Sequence, residues 1–141
     1  MSSGPQIHGS DMTSPKFSDL CGKLMQMDPA GEAILFDGRW HSWGYVQGIA
    51  RQVQDCLHDA GIGFAPVSFI ARNRPAALAG LVGLLSQDRT IRMIYAFQSP
   101  AAIAASVEKL ASPALLAMAE DLTPEVVEVL ERCGMAGIAL N

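Results

Sequence analysis

Charge is the first thing this sequence has little of. Of its 141 residues only 17% are charged, against roughly 25% in an average soluble protein, while 50% are hydrophobic. Its ten Lys and Arg form no basic run and the net charge is -4, so the sequence gives no support for a nucleic-acid-binding surface. The apolar excess excludes wholesale disorder. It predicts either a sheet covered on both faces or a surface that a partner covers.

Cysteines are also few, and long apolar runs are absent. Cys21, Cys56 and Cys133 are odd in number and show no Cys-x-x-Cys spacing, which speaks against a disulfide framework or a zinc site. Free thiols in a reducing cytosol are favoured. The longest uncharged apolar run, Pro75–Gln87, is too short to span a bilayer and predicts a buried helix. The N-terminus lacks the apolar core of a signal peptide, so we expect a cytoplasmic protein.

The chain divides into three parts. Residues 1–11 resemble vector sequence and are interpreted as a cloning remnant, residues 12–32 form a mixed N-terminal segment, and residues 33–141 carry a regular pattern. That pattern begins with a predicted hairpin, in which Ala33–Phe36 and Arg39–His41 flank the turn residues Asp37-Gly38.

Helices and strands alternate after the hairpin. A helix is predicted over Trp43–Ala60, with Ser42 as its N-cap and Gly61 at its end. The elements predicted next, in chain order, are Val67–Ala71 (strand), Pro75–Leu85 (helix), Thr90–Tyr95 (strand), Pro100–Leu110 (helix), Ala114–Met118 (strand), a helix opened by Thr123-Pro124 and closed at Gly134, and Met135–Leu140 (strand). Such alternation predicts the α/β class, as a parallel-sheet, three-layer βαβ subdomain with an N-terminal β-hairpin.

Two of the predicted helices also carry packing predictions. The first shows apolar residues at spacings of three and four, which predicts one buried face made of Val46, Ile49, Val53, Cys56 and Leu57. In Pro75–Leu85 the small residues share one face, which predicts a close approach to the sheet through Ala76, Gly80 and Gly83.

Isolated residues with catalytic potential lack the partners that their chemistry needs. Gly61-x-Gly63 precedes a strand rather than following one, which speaks against a dinucleotide fingerprint. His58 follows Asp55 by three residues on a helix, but no Gly-x-Ser-x-Gly elbow supplies a nucleophile, so an exposed helical pair is favoured. For His41, packing or a surface position is favoured over metal ligation.

Two loops at predicted strand ends carry charged residues. Glu120-Asp121 follows a strand, where α/β sheets usually bind ligands, but it immediately precedes the Thr123 cap, so a solvated loop is favoured. Asn73 and Arg74 lie between a strand and a helix N-terminus, a place that can receive an anion. We single out Asn73 and Arg74 as the candidate ligand or interface residues, the alternative being a surface arginine satisfied by its own turn. No catalytic, cofactor-binding or metal-binding residue is predicted.

The ordered series of segments resembles a known family. VSFIARNRPAALAGLVGLL (Val67–Leu85) and TIRMIYAFQSPAAIAASVEKL (Thr90–Leu110) resemble consecutive strand–helix units of AMP-binding acyl-CoA synthetases, in the adenylate-forming ligase superfamily. Ala33–Gly63 is similar to the N-terminal hairpin and first long helix of that family, and Ala114–Leu140 to the strand–helix–strand that follows. The resemblance implies the N-terminal subdomain of an enzyme that converts a carboxylic or fatty acid to acyl-CoA through an acyl adenylate.

The motifs that carry catalysis in that family are missing from this sequence. Its Ser/Thr/Gly-rich phosphate loop with Lys, aromatic-Gly-x-Thr-Glu motif, ribose-binding Asp, hinge and catalytic Lys all lie beyond the region of resemblance. No family site residue is carried over, and ATP, Mg and CoA are implied only for the intact family member. The chain departs from the family at Ser86–Arg89, where a glycine is usual, and at Tyr95-Ala96. Acyl adenylation needs groups that hold ATP phosphates, so we expect no catalysis by this chain alone.

Two hypotheses of different classes remain open. In the first, the chain is an N-terminal subdomain of an acyl-CoA synthetase, present as a fragment that ends at Asn141, and its partner is the remainder of the ligase. In the second, it is a stand-alone interaction module that pairs with itself or with a ligase. Both predict an exposed or dimer-buried apolar surface, so we expect a dimer or larger species. A generic nucleotide-binding α/β domain is less favoured, because the glycine fingerprint is missing.

Overall fold

The computed structural model of the chain describes residues 16–141, so the cloning-remnant interpretation of residues 1–11 lies outside the described residues. The elements in chain order are α1 (Phe17–Leu24), β1 (Glu32–Phe36), β2 (Arg39–Ser42), α2 (Trp43–Asp59), β3 (Val67–Ala71), α3 (Pro75–Leu85), β4 (Ile91–Tyr95), α4 (Pro100–Leu110), β5 (Ala114–Met118), a 3₁₀ turn (Ala119–Asp121), α5 (Pro124–Cys133) and β6 (Ala136–Leu140). The predicted order of elements is confirmed, with ends that differ by one residue at several places.

The N-terminal hairpin forms where the turn residues predict it. Asp37 and Gly38 both adopt positive φ, at 53° and 73°, as a two-residue turn between twisted strands requires. β1 and β2 pair antiparallel, with Leu35 opposite Trp40. Ser42 ends β2 and caps α2, because its hydroxyl accepts a 3.1 Å hydrogen bond from the Tyr45 amide.

The main sheet has four parallel strands in the order β4-β3-β5-β6. On one face α2 and α3 cover a core that includes Val53, Leu57 and Leu116, and on the other α4 and α5 cover a core that includes Ile70 and Val107. β5 is buried along its whole length because both of its faces are covered. The predicted α/β class, with helices on both faces and an N-terminal hairpin, is confirmed.

The small residues of α3 have two different neighbours. A Cβ on Gly80 would lie 3.0 Å from Leu140 and 3.1 Å from Leu116, which confirms the close approach to the sheet. A Cβ on Gly83 would lie 2.8 Å from the carbonyl oxygen of Ala50, so the prediction that Gly83 faces the sheet is wrong. Its missing side chain instead lets the backbones of α3 and α2 touch.

The buried face of α2 is turned around the helix axis relative to the apolar pattern, since Gln47 and Ala50 are buried as well. Val46, Val53 and Leu57 are buried and Ile49 packs partly against the core, but Cys56 is exposed. Consecutive helical residues are rotated by about 100°, so Cys56 points away from the direction of Leu57. No helix among the described residues has both the length and the apolarity needed to cross a bilayer.

Candidate functional site

The candidate site lies at the carboxyl edge of the sheet, between β3 and β5. These adjacent strands are followed by helices on opposite faces, since α3 joins the core on one side and α5 the core on the other. Because the connections after the two strands leave toward opposite faces, a crevice forms between the strand ends. Open α/β sheets bind ligands in such a crevice. Arg72, Asn73 and Arg74 enter the crevice from β3, and Glu120 and Asp121 enter it from β5.

A bidentate ion pair lies at the base of this crevice. Arg72 Nε donates to Asp121 Oδ2 at 2.9 Å, and Arg72 Nη2 donates to Oδ1 at 2.7 Å. Asp121 is only 6% exposed, so the favoured solvated loop is wrong for this residue. Asp121 is the last residue of the 3₁₀ turn after β5, where its carboxylate meets Arg72 from the end of β3. Its hydrogen bonds, and then its charge, raise the pKa of Arg72 against the lowering effect of burial.

A second pair lies at the exposed rim of the crevice. Arg74 Nη1 donates to Glu120 Oε1 at 2.6 Å, and Arg74 Nη2 lies 3.3 Å from Oε2. Arg74 is thus satisfied by the loop after β5 rather than by its own turn. Because Glu120 already balances the charge of Arg74, this arginine is less suited to bind an anion. Asn73 is exposed beside it, and its predicted role in binding stays a prediction.

Aromatic side chains extend the crevice toward β4. The Arg72 guanidinium carbon lies 5.5 Å from the centre of the Phe97 ring, within the range of a cation–π contact. Phe97 is 70% exposed, and its ring centre is 5.5 Å from that of Tyr95. The three side chains therefore form one surface, in which the arginine is fixed by Asp121 on one side and faces an exposed ring on the other.

A cavity of about 240 Å³ joins the hairpin to the same edge of the sheet, lined by Phe36, His41, Tyr45, Arg74, Pro75, Ala76, Met118 and Asn141. The ring centres of His41 and Tyr45 lie 4.8 Å apart, so the structure places His41 in aromatic packing, as favoured from the sequence. Burial raises the pKa of the Tyr45 hydroxyl.

The remaining candidates lie away from the crevice. Gly61 and Gly63 both have positive φ in the loop before β3, as expected of turn glycines. His58 and Asp55 are exposed on α2. Among residues 16–141 no group of three or more His, Cys, Asp or Glu side chains is arranged to hold a metal ion.

Sequence reasoning found the two loops but missed their pairing. Arg72 and Asp121 are separated by 49 positions along the chain, and they meet only because β3 and β5 are neighbours in the sheet. The order of the strands in the sheet cannot be deduced from the local hydrophobic periodicity of the sequence. The available signal was the presence of opposite charges directly after two strands that a parallel sheet could place side by side.

Comparison with known proteins identifies the class of this fold. No protein-family model and no curated protein matches the sequence. A protein of Rhodopseudomonas palustris CGA009 assigned as a long-chain-fatty-acid CoA ligase aligns with a TM-score of 0.69 and 15% identity, over 92% of this chain and 34% of its own. The benzoate CoA ligase of Burkholderia xenovorans LB400 gives 0.69 and 16%, over 89% and 26%. The O-succinylbenzoate CoA synthetase of Bacillus subtilis, solved with AMP, gives 0.63 and 12%, over 89% and 31%.

The chain therefore has a fold found within acyl- and aryl-CoA ligases. The resemblance expected from the ordered segments is confirmed at the level of the fold. More particularly, the alignment covers between 26% and 34% of the length of these three structures.

Proposed function

We propose that the chain forms the N-terminal subdomain of an adenylate-forming acid–CoA ligase and serves there as a scaffold, without catalysing the reaction alone. The observation that carries the proposal is the match of the hairpin and parallel-sheet fold, over 89% of this chain, to a benzoate CoA ligase that is several times longer. In the intact enzyme the remainder of the ligase would bind ATP, Mg and CoA and would form the acyl adenylate. The acid would be a fatty or an aromatic carboxylic acid.

The side chains at the crevice support a scaffold role. Adenylation requires cations that are free to bind phosphate oxygens, whereas Arg72 and Arg74 are each bound by a carboxylate. Lys109 lies in the last turn of α4, and Lys16 pairs with Asp88, so neither enters the crevice. The exposed free thiols of Cys56 and Cys133 support the proposal of a cytoplasmic location, where thiols remain reduced.

ATP–pyrophosphate exchange tests the scaffold role. The purified chain, offered long-chain fatty acids, benzoate and O-succinylbenzoate in turn, is expected to show no exchange above a no-protein control. Acid-dependent exchange by the pure chain would contradict the proposal. The reading frame downstream of Asn141 is the second check, because a continuation that encodes a Ser/Thr/Gly-rich loop with Lys supports a ligase, and its absence favours the alternative below.

A specific observation favours the alternative, a stand-alone module that self-associates. Met93 and Tyr95 project from the same face of the edge strand β4, Phe97 follows two residues beyond the end of the strand, and the three side chains are 56%, 67% and 70% exposed. The main contacts of α3 with the sheet are to β5 and β6, which leaves this face of β4 more open. We call these three residues the β4 stripe. An apolar stripe beside an unpaired strand edge suits a second copy of the chain, or a ligase, as partner.

A further inference from the structure

A buried arginine lies at the amino edge of the sheet, opposite the crevice. Arg89 lies two residues before the start of β4 and is only 8% exposed. Its Nη1 donates to the Ala65 carbonyl at 2.8 Å, and its Nη2 donates to the Gly63 carbonyl at 2.7 Å. Nη2 and Nε also donate to the Gln87 side-chain oxygen, at 2.9 and 3.2 Å. All of these acceptors are neutral.

The charge of Arg89 is therefore uncompensated among the described residues. Arg72, which is mostly buried, contacts the carboxylate of Asp121. The ion pairs found in residues 16–141 include none to Arg89. Placing a cation in a poorly solvated site without a counter-charge is costly. Burial accordingly lowers the pKa of Arg89. An anion beside this guanidinium would offset that cost.

Arg89 lines a cavity of about 150 Å³ together with Gln54, His58, Gly63, Phe64 and Gln87. No carboxylate lines it. The four hydrogen bonds of Arg89 engage four of its five N–H groups, which leaves one N–H on Nη1 for a ligand. The Gln87 amide nitrogen and an imidazole N–H of His58 are two more donors in the same lining. Gln54 adds none, because its amide nitrogen already donates to Gly83 and Ser86.

From this arrangement we propose that the cavity at Arg89 binds a small oxyanion, a phosphate or a carboxylate group. Arg89 supplies the charge and a fixed N–H, Gln87 and His58 supply further donors, and the Phe64 ring, 81% exposed, forms an apolar wall. A cavity of about 150 Å³ suits a single phosphate or a short carboxylate rather than a whole nucleotide. The site is independent of the ligase proposal, because it lies at the opposite edge of the sheet and within a loop where this chain departs from that family.

Binding of inorganic phosphate to the full chain tests the site. Phosphate is titrated against chloride at constant ionic strength while amide chemical shifts are followed, with acetate in a parallel arm to separate phosphate from carboxylate preference. We expect saturable shifts at Gly63, Phe64 and Arg89, with a Kd on the order of 1 mM. Shifts that do not saturate with either anion would overturn the proposal.

Substitutions locate the binding site. His58→Ala removes the donor of an exposed side chain and is expected to weaken binding about tenfold, because one hydrogen bond to a charged ligand is lost. Arg89→Gln is expected to abolish binding, and the folded state of this variant is checked by its amide spectrum. Arg51→Ala, at an exposed arginine on the same helix as His58, is the matched control and is expected to bind as the parent does. Unchanged affinity in His58→Ala, or equal loss in Arg51→Ala, would contradict the assignment even if Arg89→Gln fails to fold.

Discussion

At the scale of single residues, three arginines of this chain show how burial changes what a charge requires. Arg72 is mostly buried and forms a bidentate ion pair with Asp121, whose carboxylate is almost fully buried. Arg74 is more exposed, and its partner Glu120 is exposed as well. Arg89 is buried among carbonyl oxygens alone. Because water screens only the exposed pair, the three should respond differently to loss of their partners.

Asp121→Asn is the sharpest residue-scale test. It leaves the Arg72 charge without compensation in a site that water scarcely reaches, and we expect a loss of about 2–3 kcal/mol in the free energy of unfolding. Glu120→Gln, the matched change at the exposed pair, should cost about 0.5 kcal/mol or less. Urea denaturation of both variants checks this, and equal losses would contradict the difference in burial.

Glu108 makes stability depend on pH through an exposed pair. Arg132 Nη1 donates to Glu108 Oε2 at 2.6 Å, and this hydrogen bond, followed by the charge of Arg132, lowers the pKa of Glu108. A lowered folded-state pKa means that the stabilisation is present above the unfolded pKa and is lost as pH falls through the folded one. Arg132→Gln should therefore flatten the acid side of a stability–pH curve. A curve of unchanged shape would show that the pair contributes nothing.

At the scale of elements, helix starts are the best-predicted feature of the chain. Ser42, Ser99 and Thr123 each cap a helix by accepting from the amide three residues on, and Pro100 and Pro124 occupy first helical positions. These are local devices, so the sequence alone reveals them. The contact of Gly83 with Ala50 is not local, since it depends on how α3 crosses α2.

Two glycine-to-alanine changes separate local from tertiary effects. Gly83→Ala would force a Cβ to within 2.8 Å of backbone on α2, and we expect a loss of about 2–3 kcal/mol. Gly48→Ala lies inside α2 with nothing within 4 Å, so it should stabilise by about 0.5–1 kcal/mol through helix propensity. Thermal and urea unfolding of both variants check the opposite signs. A stable Gly83→Ala variant would mean that the two helices have room to separate.

At the scale of the whole molecule, periodicity gave the class of fold but not the order of the strands. The βαβ alternation and the hairpin turn could be predicted because each depends on neighbouring residues. The crevice between β3 and β5, its buried ion pair and the uncovered face of β4 all follow from the order β4-β3-β5-β6. For this reason the sequence predicts that Asn73 and Arg74 follow β3, but it predicts neither the burial of Asp121 nor the exposure of the β4 stripe.

Self-association through the β4 stripe is the whole-molecule prediction. Sedimentation velocity of the chain should show association that increases with concentration, and Tyr95→Lys should shift the chain toward monomer, because it places a charge on the open apolar face. Leu35→Lys, at a similarly exposed apolar position on the hairpin, is the control and should leave association unchanged. A parent chain that is monomeric at all concentrations would contradict the alternative function.

The strand order also bears on how the sheet is assembled during synthesis. β3 emerges from the ribosome first, β4 then pairs on one side of it, β5 on the other, and β6 on the outside of β5. Every later strand thus finds its hydrogen-bonding partner already made, so the sheet can grow outward from its centre as the chain lengthens. The pairing of β6 brings Leu140 against Gly80, which joins this strand to a helix made much earlier.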